Sequence, residues 1–257
     1  MIALYGRTQP LAHYPTGECL QVIARLGFDG AEICLENEDI HPELLDDDAV
    51  KRLADAIEAA GLTSFSISYH KDYIYNDAFW AGTRRAIEVA RMLGSEVCVF
   101  GDATKRSGDM EEWHRMVLRT QELVAVAEGE GVVIAKEFEP GFIVGCTADL
   151  LRLFAEIPSD KLAANLDLGH VFLCDPDPMQ AIRQVGAKMV HGHIENMRAG
   201  VHEHLLPHEG DMDLRQSLAA LKEIGFDGGL ALDLYKHDYE AVAAPALAFL
   251  RGLLSQA

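Results

Sequence analysis

The side chains with chemistry to offer recur at the ends of short apolar runs. His70 closes SFSISYH, Asp102 follows VCVFG, and Glu137 and Glu139 follow VVIAK. Asp167 closes LAANLD with His170 just beyond it, His191 and His193 lie in MVHGHI, and Asp233 ends GLALD. In an extended segment successive side chains alternate faces, so Glu137 and Glu139 share one face and so do His191 and His193. The same parity sets Ser64, Ser66, Ser68 and His70 against Phe65, Ile67 and Tyr69. With the serines turned inward, the interior on that side is small and polar and suits a sugar-like ligand. Taken singly, Asp167 reads as a helix cap and Glu139-Pro140-Gly141 as a turn. Taken together, carboxylates and imidazoles from four consecutive runs would repel or lie unsatisfied unless a cation joined them. The pattern predicts a metal site.

A second cluster follows, His202-Glu203-His204 and then LLPHEGDMD at 205–213. His202 and His204 fall on one side of an extended segment, and with His170 they make a three-nitrogen set that favours zinc. The competing reading is a polar lid over the site, followed by a helix capped by Asp211 or Asp213.

These residues need a scaffold that brings strand ends to one rim. Short apolar strands alternate with amphipathic helices throughout. Strands are read near 2–5, 29–35, 62–68, 96–101, 132–138, 162–167, 187–193 and 229–234. Helices are read near 16–26, 46–60, 77–93, 109–129, 147–156, 177–185, 213–224 and 238–254. No Ser-, Pro- or Gly-rich linker divides them. Eight such units predict a parallel sheet closed into a single-domain (β/α)8 TIM barrel over residues 1–257. Gly27, Gly61, Gly94, Gly131, Gly186 and Gly225 stand where helices hand over to strands, as left-handed caps would. LGFDGAEI at 26–33 is echoed by IGFDGGLA at 224–231, one αβ turn used twice. A barrel of this kind works at the C-terminal ends of its strands, which is where the candidates fall.

Bulk properties narrow the function. The 257 residues carry 22 Lys and Arg against 41 Asp and Glu, a net charge of −19. Such a surface repels a phosphate backbone, which argues against nucleic acid and for a small neutral substrate. The cysteines (Cys19, Cys34, Cys98, Cys146, Cys174) form no C-x-x-C pair, as expected of reduced thiols in the cytoplasm. Neither a signal peptide nor a membrane span is read from the chain, so no membrane partner is expected. Whether it forms a homo-oligomer is left open.

Four stretches resemble the xylose isomerase-like TIM-barrel superfamily of sugar phosphate isomerases and epimerases, to which the endonuclease IV-like proteins are related. They are GFDGAEI (27–33), EFEPGF (137–142), NLDLGHVFL (165–173), and HGHIEN (191–196) with HEHLLPHEGDMD (202–213). The resemblance spans essentially the whole chain. It implies that Glu137, Asp167, His193 and Asp233 hold one divalent metal, with His191 two residues from the strand 7 ligand. The epimerases pair two glutamates as acid and base; here strand 8 offers Asp233, with a shorter arm. The endonuclease-like branch would use His70, Asp167, His170, His202 and His204 toward further zinc ions. Its strand 4 histidine is missing, and Asp102 is the substitute nearby.

The expectation is therefore an enzyme dependent on Mn, Mg, Co or Zn. It would isomerise, epimerise or dehydrate a small sugar, keto-sugar or polyol. Proton abstraction would occur beside a metal-bound carbonyl, with Glu137 and Asp233 as the catalytic carboxylates. His170, His202, His204 and His70 would serve a second metal or the substrate. The alternative is a multinuclear zinc phosphoesterase, disfavoured by the acidic chain and the absent strand 4 histidine.

Overall fold

A computed structural model describes residues 1–63 and 65–256. Eight strands run parallel in chain order and close on themselves. They are β1 (Ala3–Arg7), β2 (Gly30–Cys34), β3 (Phe65–His70), β4 (Val97–Gly101), β5 (Val133–Glu137), β6 (Leu162–Asp167), β7 (Met189–Ile194) and β8 (Gly229–Leu232). β8 pairs with β1 to seal the barrel. Around it lie α1 (Thr16–Leu26), α2 (Asp47–Ala59), α3 (Asp77–Leu93), α4 (Met110–Glu130), α5 (Thr147–Glu156), α6 (Leu168–Cys174), α7 (Pro178–Val185), α8 (Leu214–Glu223) and α9 (Tyr239–Leu254).

The predicted (β/α)8 barrel is the fold. The reading of Asp167 as a helix cap holds, although no helix is read from the sequence at 168–174: α6 starts directly after β6, and Asp167 accepts the His170 amide at 2.8 Å. Seven residues are too few to show a helical period. The third strand begins at Phe65, and Ser64 lies outside the described residues. β8 stops at Leu232, which leaves Asp233 on the loop just past it.

Strand parity separates two environments. Leu4, Ile33, Ile67, Phe100, Ile134, Leu166 and Leu230 belong to the continuous apolar core. Each such side chain contributes roughly 1.5–3 kcal/mol on burial. Gly6 lets α1 approach, since a Cβ there would stand 2.9 Å from Ile23 and Phe28. That fixes Gly6 toward the helices and Tyr5 and Arg7 toward the axis. The inward set mixes buried polar groups, Glu32, Ser66, Ser68, Asn165, His191 and His193, with small apolar ones such as Val99, Ala135 and Ala231. Apolar packing outside the sheet carries the fold, and the axis is left for chemistry.

Gly27 caps α1 in the left-handed region as expected. Gly186 does not: its φ of 54° and ψ of −133° lie outside that region, because a 3-10 turn over Gly186–Lys188 follows α7 directly.

Candidate metal and substrate site

Parallel pairing brings the last inward residue of each strand to one height. Asp167 stands beside His193, and Glu137 beside Gly101. One ligand atom from each of Glu137, Asp167 and His193 lies within 4.8 Å of the other two. His193 Nε2 is 2.8 Å from Glu32 Oε2, while its Nδ1 faces Glu137 Oε2 at 3.3 Å and Asp167 Oδ2 at 3.9 Å. With Nε2–H given to Glu32, Nδ1 is the nitrogen left for a metal. A carboxylate behind a ligating imidazole is the usual device for fixing its tautomer. Burial alone would depress the His193 imidazole, but Glu32 and Glu137 outweigh burial and hold it well above its ordinary range.

Glu137 is held from several sides. Its Oε2 lies 2.9 Å from His70 Nε2 and accepts from Asn165 Nδ2 at 2.7 Å, and its Oε1 is 3.5 Å from His170 Nδ1. Burial would raise this carboxyl; His193 and His70 prevail and keep it well below the normal carboxylate range. His70 in turn lies between Glu137 and Glu36, whose carboxylate also takes the His70 amide. Burial opposes protonation of His70, yet these two carboxylates lift it to about 10.

Asp233 reaches the same mouth, with Oδ2 bound by the Arg7 guanidinium, whose Nε donates to Glu32 Oε1 at 2.9 Å. Arg7 thus joins the strand 8 carboxylate to the partner of His193. Glu195, two residues past His193, is wholly buried among Asp167, Asp233 and His204. Burial first, then Asp167 and Asp233, push its carboxyl well above the usual range.

The donor set fits a divalent cation. Asp167 Oδ2 and Asp233 Oδ1 are buried oxygens without a hydrogen-bond partner. Buried carboxylate oxygens rarely stay unpaired, and an ion is a standard reason. One imidazole among carboxylates suits Mn, Mg, Co or Zn.

The second cluster sits on the same rim. His170 Nε2 and His202 Nε2 are 3.1 Å apart, and His204 completes a set within 4.8 Å. His170 Nδ1 is anchored 2.9 Å from the Phe138 carbonyl, and His204 Nδ1 lies 3.1 Å from that of Asp233. Glu139 also lines the pocket, and burial is the first cause of its carboxyl rising to about 7. Asp213 caps α8 through the Gln216 amide, as the cap reading expects.

Two candidates have partners of their own. Asp102 lines the pocket, but its Oδ2 is 3.0 Å from Lys136 Nζ, a lysine with no exposure. His191 points down the axis: Nδ1 is 2.8 Å from Asn165 Oδ1, and Nε2 is 2.9 Å from Ser66 Oγ. It lines a separate cavity at the opposite end of the barrel. Directions follow from Glu137, which as a carboxylate only accepts. Asn165 gives it N–H, so Asn165 Oδ1 accepts from His191 Nδ1–H and His191 Nε2 accepts from Ser66. Sequence reading missed Arg7, Glu32, Glu36, Asn165 and Glu195. The available signal was a charged or amide residue at an inward parity position of a buried strand.

A cavity of about 260 Å³ above these groups is lined by Arg7, Gln9, His70, Glu137, Phe142 and Tyr235, among others. The fold and rim define a parallel barrel whose candidate metal-binding groups line a small polar pocket at the C-terminal ends of the strands. Residues 20–253 match the family described as xylose isomerase-like TIM barrel, and the chain belongs to it. L-ribulose-5-phosphate 3-epimerase UlaE of Escherichia coli strain SMS-3-5 is 24% identical over 247 residues, 90% of this chain and 87% of that protein. The inosose dehydratase of Lacticaseibacillus casei is 26% identical over 152 residues, 52% of this chain and 50% of the relative. The chain spans about half the length of the first curated relatives it matches. The solved structure of an L-ribulose 3-epimerase superposes with a TM-score of 0.83 at 20% identity, covering 100% of this chain and 95% of that one, a likeness of fold. No described helix is long and apolar enough to cross a membrane.

Proposed function

We propose that the protein is a divalent-metal-dependent enzyme that isomerises, epimerises or dehydrates a small keto-sugar or polyol. The carrying observation is the convergence of Glu137, Asp167 and His193, with Asp233 at the same mouth. Glu137, Asp167, His193 and Asp233 would hold the cation. When bound, it would polarise a carbonyl and a neighbouring hydroxyl and so acidify the C–H between them. Glu137 would take that proton: His70 and Asn165 fix its Oε2, and His193 and His70 keep it ionised. Asp233, clasped by Arg7, serves mainly as a ligand. His170, His202 and His204 would hold a second cation or the substrate's far hydroxyls; the 3.1 Å approach of two imidazole nitrogens supports that use. The zinc phosphoesterase reading is weaker, because Asp102, the substitute for the missing strand 4 histidine, is committed to Lys136.

Family relatives named for epimerase and dehydratase reactions support this reading, since both begin with a proton taken beside a carbonyl. The unpaired cysteines fit a reducing, cytoplasmic setting. The test is a panel of keto-sugars and inososes assayed with Mn, Mg, Co and Zn, followed by solvent-deuterium incorporation. Metal-dependent exchange at a carbon next to a carbonyl supports the reading. Phosphodiester cleavage without such exchange overturns it.

A further inference from the structure

The charges around the pocket decide what kind of molecule can enter. Four carboxylates (Asp102, Glu137, Glu139 and Asp233) line the pocket together with Arg7 and five imidazoles, of which His70 is held between Glu137 and Glu36 and His193 between Glu32 and Glu137. Arg7 is not free to meet an anion: Glu32 holds its Nε and Asp233 its Nη1, and its side chain is 5% exposed. Lys136, the cation beneath Asp102, is sealed away with its Nζ 5.0 Å from the Tyr73 ring and 5.2 Å from that of Phe100. Arg106, on the loop after β4, is spent on Asp149 and on the Ile143 carbonyl.

Backbone anion sites are taken as well. A barrel ordinarily binds phosphate with helix N-termini and the loops after strands 7 and 8. Here Asp167, Asp213 and Asp238 occupy the N-termini of α6, α8 and α9, each accepting an amide hydrogen from the first turn. An incoming phosphate would meet a carboxylate in each of these places. Elsewhere in the lining, the Gln9 amide is available for hydroxyls and the Phe142 and Tyr235 rings for C–H faces. A volume of about 260 Å³ suits one small molecule.

We propose that the site selects an uncharged keto-polyol and rejects its phosphorylated or carboxylated analogues. This rests on the metal-dependent isomerase, epimerase or dehydratase reading and names its substrate class. The three carboxylates of Glu137, Asp167 and Asp233 outnumber the two charges of one divalent cation, so the loaded site stays net negative, and in a partly buried pocket that charge is weakly screened. Lys236 stands by the mouth with its Nζ 5.1 Å from the Tyr235 ring, and it marks where a phosphate-bearing end would have to be recognised if the proposal were wrong.

The experiment compares matched pairs, each a free ketose or inosose with its phosphate ester, using the Mn-loaded full chain. Deuterium incorporation and initial rates give kcat/KM for both members, for the native protein and for Lys236→Ala. The expected result is at least about a 100-fold preference for the uncharged member, unchanged in Lys236→Ala. A phosphate ester within about tenfold of its partner, or preferred over it, overturns the charge selection and leaves the isomerase reading standing. Loss of such an ester preference in Lys236→Ala would locate the missed phosphate contact. Absence of metal-dependent exchange with every pair overturns both readings.

Discussion

The guanidinium of Arg7 clasps the carboxylate of Asp233 across the β1–β8 seam that closes the barrel. The same guanidinium holds Glu32, the carboxylate behind His193. One residue on the first strand therefore positions groups delivered by the second, seventh and eighth. Removing one member of a buried ion pair strands its partners. Arg7→Met should cost about 3–5 kcal/mol of stability in metal-free protein. With saturating Mn the loss should be smaller, because the cation compensates the same carboxylates. Urea unfolding with and without metal measures both; equal losses would disconnect Arg7 from the metal centre.

Asp233→Asn and Glu137→Gln should fail differently. The first removes ligand charge, so metal affinity and turnover should fall together and excess metal should restore part of the turnover. The second also weakens the metal, but saturating metal should leave turnover depressed by about 100-fold or more, because the base is gone. Calorimetric metal titration alongside deuterium exchange separates the two. Full recovery of Glu137→Gln would move the base to Glu139 or a histidine.

His204 is buried between the Asp233 carbonyl and the Tyr235 ring. His204→Ala should lower turnover about 10–100-fold, the usual effect of losing a supporting or ligating group at a metal centre. Its melting temperature should shift by only about 4 °C. A large loss of stability with normal specific activity in the folded fraction would assign this histidine to structure.

Burial lowers the His191 imidazole from 6.5 to about 4. The unfolded chain therefore binds its proton first as the solution is acidified. The stability linked to neutral His191 is complete above about pH 6.5 and is lost as pH falls toward 4, amounting to roughly 3 kcal/mol. His191→Gln should flatten the acid limb of the stability profile in metal-free protein while lowering stability at neutral pH. An acid limb with unchanged slope would show that other groups set it.

The later half of the site was legible because its residues come in short-range patterns. Glu137 and Glu139, His191 and His193, and Asp167 and His170 each announce a shared face or turn within three positions. Arg7 and Glu32 carry no such pattern: Arg7 meets Glu32 25 positions away, and Glu32 meets His193 161 positions away. Only closure of the barrel makes them neighbours. Helices of ten or more residues were readable from apolar period and caps, as at Thr16–Leu26 and Asp77–Leu93. α6 showed only its cap, Asp167, because seven residues are too few to carry a helical period. His191 and His193 share parity, yet one faces the rim and the other the axis below it. Parity assigns a face and leaves height to the register with Asn165 and Asp167.

The axial chain from Ser66 through His191 and Asn165 to Glu137 runs one way, every hydrogen pointing toward the rim. It is a string of aligned dipoles from three neutral groups, with the positive end against a carboxylate. The barrel interior thereby does for Glu137 what the first turn of a helix does for a bound anion. It favours ionisation without adding a formal charge that would compete with an arriving cation. Reversing any one link, as an Asn165→Asp exchange would, turns the last dipole into a repelling charge and sends its neighbours searching for new partners.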